Sequence, residues 1–424
     1  MTESPDDRLL LEGAVAHHVA GRLAEAEAGY REIIRRASLP GVLVRACYNH
    51  GILLAGMGRA GEAERAYREA LRLHPGFAPA CHDLGNLLAD LGRDGEAEAA
   101  WREAIRLVPA FLEPRINLGN LLLGSGRLDE AEALCRETLR LWPDNARLHC
   151  DLGGILHDRQ RFDAAEAAWR EALRLCPEFA RAHCNLGRLL HEVRRLPREA
   201  EAAYREALRL QPDLPEAWHN LGQLLCDLNR LAEAEAAWRE ALRLRPGYAD
   251  AAWNLGLLLL KSGRLAEGWP LYEYRHHPER KNPLPLPSGL AFPRWRGEAL
   301  TGRSLLVIGE QGYGDDIQFC RCVPLLAELG ACRITLAVKP PLLPLLATLA
   351  GVDRLIDSLD DVPWHDFWTP LMSIPGHLGV TGETIPARIP YLQALPERVA
   401  RWREILPAGG VRVGLVWRGS RLHA

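Results

Sequence analysis

The chain has 424 residues and a formal net charge of −3, with 52 basic residues against 55 acidic ones. This balance argues against a general attraction to nucleic acid or to anionic lipid. Hydrophobic residues make up 48% of the sequence, which is enough to build a folded core, and the length suits two or three domains.

The N-terminal sequence MTESPDDRLL is acidic and polar and has no apolar signal-peptide core. No apolar run approaches the length of a transmembrane helix. Ten cysteines are scattered without the spacing of a paired metal site, and Cys320-x-Cys322 alone is a weak pattern. The sequence therefore predicts a cytoplasmic protein with reduced, mostly buried thiols, no metal, no nucleic-acid partner and no membrane span.

A repeated pattern runs from the N-terminus to about residue 275. Prolines recur at intervals of 34, 34, 34, 35 and 34 residues, at Pro75, Pro109, Pro143, Pro177, Pro212 and Pro246. Glycines keep the same step, at Gly51, Gly85, Gly119, Gly153, Gly187, Gly222 and Gly256. A large side chain does likewise, at Tyr67, Trp101, Trp169, Tyr204, Trp238 and Tyr272, with Cys135 in the remaining place. One extra residue near 196–198 explains the longer interval.

Each repeat holds two amphipathic segments, such as AWHNLGQLLCDLNR followed by LAEAEAAWREALRLRP. Apolar residues at helical spacing, small residues and a closing proline predict a helix-turn-helix. The pattern resembles the tetratricopeptide repeat. One hairpin cannot bury its apolar face alone, so about eight hairpins should stack into an α-solenoid over residues 7–275, the first (9–39) being irregular.

One polar position recurs two residues before each repeat glycine. It is occupied by Asn49, Asp83, Asn117, Asp151, Asn185, Asn220 and Asn254. Asparagine is mediocre in a helix interior, and its amide both donates to and accepts from a peptide backbone. The position resembles the asparagine ladder of protein O-GlcNAc transferases, which implies a concave groove that binds a protein or peptide. The alternative is that these groups satisfy neighbouring helices or face water.

Residues 276–302 contain many prolines and lose the helical period, which predicts a Pro-rich linker. Strand and helix patterns alternate beyond it. The strand patterns are 303–310, 332–339, 352–358, 366–372 and 411–417, and the helix patterns are 316–329, 340–351 and 397–405. This alternation predicts an α/β domain with a parallel sheet, whose ligands bind beyond the carboxyl ends of the strands.

The sequence VIGEQGYGDDIQF (307–319) leads from the first strand into a helix. Its glycine spacing matches neither the dinucleotide fingerprint nor the P-loop, which disfavours a nicotinamide or ATP site. One interpretation is structural: Asp315 or Asp316 caps the helix and contributes ~1 kcal/mol.

The segment GEQGYGDDIQFCRCVPLLAELGA, with PPLLPLLATLAGVDRLI and ETIPARIPYL, resembles heptosyltransferase-like glycosyltransferases, which are fused to tetratricopeptide repeats in many bacterial proteins. The resemblance covers residues 303–417 and implies a Rossmann-like acceptor lobe. It implies that Asp315 is the general base for an acceptor hydroxyl. The acceptor loop it implies comprises Gly309, Gln311, Gly312, Gly314 and Asp316. Asp316 departs from the family, which usually has threonine or an aliphatic residue there.

Enzymes of that family place the acceptor lobe before a nucleotide-sugar lobe. The sequence VRVGLVWRGSRLHA resembles the start of the second lobe, so we expect residues 303–424 to be an acceptor lobe truncated before the donor lobe and inactive alone. No cofactor is expected beyond the family's nucleotide-sugar donor. The predicted function is partner binding by the repeats, coupled to a domain related to sugar transfer onto a protein or glycan. The alternative is a non-catalytic scaffold that retains part of an enzyme.

Overall fold

The computed structural model describes residues 5–36, 39–360, 362–387 and 389–405. They form two compact units, one ending at Asn220 and the other beginning at Leu221. The predicted final strand, 411–417, lies outside the described residues.

Sixteen helices form eight consecutive hairpins, which confirms the predicted α-solenoid. They are α1 (Pro5–Val19), α2 (Leu23–Arg36), α3 (Pro40–Gly56), α4 (Ala60–Leu73), α5 (Ala78–Asp90), α6 (Asp94–Leu107), α7 (Leu112–Gly124), α8 (Leu128–Leu141), α9 (Ala146–Asp158), α10 (Phe162–Leu175), α11 (Ala180–Glu192), α12 (Pro197–Leu210), α13 (Pro215–Asp227), α14 (Leu231–Leu244), α15 (Ala249–Lys261) and α16 (Leu265–Tyr272). We refer to the odd-numbered member of each hairpin as its first helix.

The repeat glycine lets the aromatic side chain of the second helix reach the backbone of the first. A Cβ added to Gly153 would lie 2.5 Å from Trp169 Nε1, and Trp169 is fully buried. Trp101 and Trp238 are also buried. Gly119 is different, because its repeat has Cys135 in place of the aromatic residue and a Cβ there meets nothing within 4 Å. The glycine is therefore required by packing in most repeats but not in this one.

An arginine directly before several of the second helices joins adjacent repeats. Arg127 donates Nε to Glu130 Oε1 at 2.7 Å and Nη1 to Glu98 Oε2 of the preceding repeat at 2.6 Å. Arg93 and Arg264 make the corresponding contacts with their own and the preceding repeat. These exposed ion pairs contribute little individually, but their repetition favours one register of stacking.

A second recurring contact satisfies the carbonyl group of the repeat proline. A side chain six residues later, on the next first helix, donates to that oxygen. The donors are Arg115 Nε at 2.9 Å, His149 Nε2 at 2.8 Å, His183 Nε2 at 2.9 Å and Trp218 Nε1 at 2.8 Å. Chemically different residues thus perform the same task, which prevents an unpaired carbonyl at the turn.

The second unit contains a four-stranded parallel sheet in the order β3-β2-β1-β4. Its strands are β1 (Ser304–Ile308), β2 (Arg333–Ala337), β3 (Arg354–Ile356) and β4 (Phe367–Pro370). Its helices are α17 (Tyr313–Phe319), α18 (Val323–Glu328), α19 (Leu343–Leu346), α20 (Ile374–His377) and α21 (Pro396–Ile405). The predicted parallel sheet is confirmed among the described residues, whereas a Rossmann-like glycosyltransferase lobe stays a prediction.

Two predicted helices are shorter than expected because of proline. The helix expected over 316–329 is interrupted by a 3₁₀ turn at Cys320–Cys322, since Pro324 has no N–H to donate to the carbonyl of Cys320. The helix expected over 340–351 is reduced to a 3₁₀ turn and α19, in a stretch with three prolines. The predicted strands are likewise trimmed at their ends.

The Pro-rich segment 276–302 packs against the sheet. Trp295 is 1% exposed, and its backbone N–H donates to Trp368 O of β4 at 2.7 Å. Phe292 lies in a small core with Leu306, Ile308 and Trp368, on the face opposite the helices that cover Leu305 and Val307. One face of the sheet is therefore covered by helices and the other by irregular chain. The predicted domain boundaries at 275 and 303 stay predictions.

Candidate functional site

The seven polar ladder residues all lie on first helices and are all partly buried. Asn49 to Asn220 belong to the first unit, and Asn254 belongs to the second. We call the surface around the first six the ladder face. Residues three or four positions from a ladder residue share its side of the helix and therefore also lie on this face.

Several ladder side chains contact the preceding repeat. Asn117 Nδ2 donates to Asn86 Oδ1 at 2.8 Å, a well-formed bond between side chains. Asn185 and Asn220 donate only to the thiols of Cys150, at 3.7 Å, and Cys184, at 3.6 Å. Sulfur is a weak acceptor, so these two amides remain more available than that of Asn117. The structure therefore shows ladder residues that contact the preceding repeat, as the alternative interpretation expects. Peptide binding by the ladder stays a prediction.

The two ladder aspartates have different surroundings. Asp83 accepts from Tyr48 Oη at 2.8 Å and lies 3.1 Å from His82 Nδ1. Burial raises the pKa of Asp151, while Arg147 and Arg181 on the same face act in the opposite direction. Asp83 is therefore engaged within the fold, whereas the cations that act on Asp151 are Arg147 and Arg181.

Three arginines surround Asn185 and Asp151 on the ladder face. Arg147 and Arg181 are exposed and lie one helical turn before the two ladder residues. Arg188, one turn after Asn185, is partly buried, and its Nε has no hydrogen-bond partner among the described residues. The nearest carboxylate contact of Arg147 is a long one, 3.9 Å to Asp151. This part of the face therefore carries three arginines against the carboxylates of Asp151 and Glu216, and Arg188 Nε is a donor without a partner in the described residues.

The loop after β1 places Asp315 and Asp316 in unlike positions. Asp315 Oδ2 accepts from the Gly312 N–H at 2.9 Å and so caps the start of α17. Asp316 is 1% exposed and lies against Gly309, where an added Cβ would be 2.7 Å from Asp316 Oδ1. The sequence did not distinguish these two roles. Gly314 has open space around its Cα.

Asp316 is accompanied by a cation that sequence reasoning did not identify. Lys339, just after β2, has its Nζ 3.5 Å from Asp316 Oδ2 and also donates to the carbonyl of Gln311. Burial raises the pKa of Asp316, and Lys339 offsets only part of that effect. The sequence did contain one signal for this contact, because Lys339 comes at the end of the second predicted strand. The end of that strand and Asp316 lie at the same edge of the sheet.

Two cavities adjoin the carboxyl end of β1. One, of about 250 Å³, is lined by Ile308 and Glu310 at the end of β1, by Trp368 of β4 and by the 284–287 segment. The other, of about 260 Å³, lies beyond β1, β2 and β3 and is lined by Lys339 and Asp357. Strand order reverses between β1 and β4, which is where ligands of open α/β sheets bind.

A buried ionic cluster lies beside these cavities, and sequence reasoning missed it. Arg275 is completely buried and donates to Glu310, to Glu273 Oε1 at 2.6 Å and to Ser373 Oγ at 2.7 Å. His276 Nε2 lies 3.0 Å from Glu310 Oε1, and the His276 side chain is buried. The cluster connects the end of the repeats with the loop after β1.

No set of three His, Cys, Asp or Glu side chains suited to a metal occurs in the described part of the chain. Within the same residues, no helix combines the length and apolarity needed to cross a bilayer. All ten cysteines are free thiols.

The helical hairpins and their recurring contacts define an α-solenoid repeat protein. The sequence profile of the tetratricopeptide repeat matches residues 48–110, 82–146, 116–177, 150–215 and 219–274, which together are more than half of the chain. The chain therefore belongs to the tetratricopeptide repeat family.

Known proteins resemble parts of this chain. Protein FlbA of Caulobacter vibrioides is 30% identical over 178 residues, which are 37% of this chain and 29% of that protein. The chain thus spans under a third of the length of this relative. A repeat protein from Parabacteroides merdae has a TM-score of 0.48 at 16% identity, covering 60% of this chain and all of its own. YrrB, described as having an unusual peptide-binding site, has a TM-score of 0.35 at 20% identity, covering 47% of this chain and 98% of its own.

Proposed function

We propose that this chain is a protein-interaction scaffold whose ladder face binds an extended, acidic segment of a partner protein. The observation that carries the proposal is the cluster of Arg147, Arg181 and Arg188 around Asn185. Arg188 Nε has no hydrogen-bond partner among the described residues, and Arg147 lies 3.9 Å from Asp151. By contrast, second-helix arginines such as Arg102 and Arg106 form close ion pairs with glutamates.

The chemistry of the ladder face suits such a partner. The side-chain amides of Asn185 and Asn220 donate only weak hydrogen bonds to sulfur, so they can pair with a peptide backbone instead. Arginine forms two parallel hydrogen bonds with a carboxylate, which selects aspartate or glutamate side chains. Backbone pairing would give general affinity, and the arginines would give the charge preference.

The test is a binding series with the full chain. Fluorescence anisotropy compares short extended peptides that are matched in length and contain glutamate, glutamine or lysine at alternate positions. We expect the glutamate peptide to bind most tightly and the lysine peptide most weakly, with a preference that declines as salt is added. Equal affinity for all three peptides would contradict the proposal.

Sugar transfer is a second candidate, favoured by the cavities at the carboxyl end of β1. In this case Asp315 would take the proton from an acceptor hydroxyl, and the rest of the acceptor loop (Gly309, Gln311, Gly312, Gly314 and Asp316) would shape the site. Asp315 is partly exposed and uses one carboxylate oxygen to cap α17. Its position is therefore compatible with both the catalytic and the capping role.

Calorimetric titration with UDP-GlcNAc and ADP-heptose distinguishes the two candidates. Saturable binding, together with transfer that is lost in Asp315→Ala, would support the enzyme. Absence of both leaves the scaffold as the function of the chain, which is the result that we expect.

A further inference from the structure

The last hairpin presents a polar and aromatic surface on its first helix. Asp250, Trp253 and Asn254 occupy positions i, i+3 and i+4 of α15 and therefore share one side of the helix. Asn254 is the ladder residue of this hairpin, and its amide donates to Gln223 Oε1 at 3.1 Å. This side of α15 is thus the local counterpart of the ladder face.

A side chain from the segment that follows the repeats covers this surface. The guanidinium carbon of Arg280 lies 4.6 Å from the centre of the Trp253 ring. Arg280 Nε lies 3.3 Å from Asp250 Oδ1, and the backbone N–H of Lys281 donates to Asp250 Oδ2 at 3.3 Å. An aromatic face and a carboxylate therefore enclose one guanidinium group.

The segment 278–283 is held to α15 mainly by this arginine. Its other five residues are exposed, whereas the Arg280 side chain is only 11% exposed. Arg280 Nη1 also donates to Arg275 O at 3.3 Å. If Arg280 were withdrawn, Asp250 and the face of Trp253 would be left open to another ligand.

The arrangement favours arginine over lysine. A planar guanidinium can lie flat on an indole ring while its N–H groups point to a carboxylate, whereas an ammonium group is more strongly hydrated and has no plane to stack. Trp253 also packs on Tyr272, with ring centres 4.9 Å apart, so the indole is held in place. A preformed surface of this kind loses little freedom when it binds.

We propose that Asp250 and Trp253 form an arginine-binding site, which the chain fills with its own Arg280 and which an arginine of a partner protein occupies when segment 278–281 is released. The site lies in the second unit and is independent of the acidic-peptide preference of the ladder face. Segment 278–281 acts as an internal competitor for it.

The experiment uses the full chain and the peptide acetyl-Pro-Glu-Arg-Lys-amide, which copies residues 278–281. Calorimetry measures its binding to the wild type, to Arg280→Ala, and to Arg280→Ala combined with Asp250→Asn. We expect the Arg280→Ala protein to bind the peptide at least tenfold more tightly than the wild type, and the double variant to lose this gain. A peptide with lysine in place of arginine should bind at least tenfold more weakly to Arg280→Ala.

Circular dichroism shows whether each variant is folded, and Arg280→Lys provides a milder second variant. It keeps the charge but not the stacking, so we expect it to bind the arginine peptide more tightly than the wild type does. No binding by folded Arg280→Ala and Arg280→Lys would overturn the proposal, as would equal binding of the lysine peptide.

Discussion

Arg275 and Glu310 form a two-pronged ion pair in the interior of the second unit. Arg275 Nε donates to Glu310 Oε1 at 3.1 Å, and Arg275 Nη2 donates to Glu310 Oε2 at 3.0 Å. The Met372 N–H also donates to Glu310, at 3.1 Å. Arg275 follows the last repeat helix, and Glu310 follows β1. The ion pair therefore links the end of the repeats to the loop that leads into α17, the helix that contains Asp315.

We predict that Glu310→Gln lowers the free energy of unfolding of this unit by about 3 kcal/mol at neutral pH, since it leaves the buried Arg275 partly uncompensated. Urea denaturation measures the loss. Glu279→Gln changes an exposed residue and serves as the control. A loss no larger than that of the control would mean that the pair contributes nothing to this connection.

The same pair predicts a pH dependence. Burial raises the pKa of Glu310, but His276 and Arg275 outweigh burial, so the pKa lies below its ordinary value. A lowered pKa in the folded state stabilises the fold fully above the unfolded value, about 4.3, and this stabilisation is lost as pH falls through the folded value. The difference between wild type and Glu310→Gln should therefore shrink below about pH 4. A difference that stays constant with pH would contradict this assignment.

The repeat glycines supply a matched pair of variants. Gly153→Ala forces a methyl group against Trp169, which we expect to cost about 1–3 kcal/mol of stability. Gly119→Ala meets open space and replaces glycine in a helix interior, so it should stabilise the protein by about 1 kcal/mol. Thermal unfolding of both variants decides this, and destabilisation by Gly119→Ala would show that the packing argument is incomplete.

Asp315 and Asp316 should respond oppositely to neutralisation. Asp315→Asn weakens the cap of α17 and should cost about 1 kcal/mol. The raised pKa of Asp316 means that its ionised form destabilises the fold, a cost that is absent below the unfolded pKa and complete above the folded one. Asp316→Asn should therefore stabilise the protein at neutral pH, but not below about pH 3.9. Urea denaturation across this range tests both, and a destabilised Asp316→Asn at neutral pH would refute the assignment.

Variants at different ladder asparagines should affect either the stability of the fold or the binding of peptide. Asn117→Ala removes a short bond to Asn86 and should lower stability by about 1 kcal/mol. Changing Asn185 and Asn220 together to alanine removes only bonds to sulfur, so stability should hold while the affinity for the glutamate peptide falls about tenfold. Unchanged affinity in this double variant would leave the ladder with a purely structural role.

The sequence was informative wherever a residue recurs at a fixed interval. The glycine, aromatic and proline positions determine the hairpins, because each one packs against its counterpart in the same way. The sequence predicted the helix over 316–329 less accurately. Pro324 interrupts this helix, although the apolar pattern continues past the proline. Local composition alone overestimates helix length in such a stretch.

The ionic cluster could not be predicted in the same manner. Arg275 and Glu310 are separated by 35 residues and belong to residue types that are usually exposed. Their sequence neighbourhood contains other charges, and only the fold decides which of them are buried together. The same holds for Asp316, since the pattern Gly-Asp-Asp does not reveal which carboxylate turns inward.

Charge reversal at Arg181 tests the central claim most directly. Fluorescence anisotropy would compare the glutamate and lysine peptides on the wild type, on Arg181→Glu, and on Arg140→Glu, which makes the same charge change at an exposed position of the second helix α8. We predict that Arg181→Glu weakens binding of the glutamate peptide by about tenfold or more and strengthens binding of the lysine peptide, while Arg140→Glu changes neither. Unaltered affinities in a folded Arg181→Glu protein would contradict an acidic-peptide site on the ladder face.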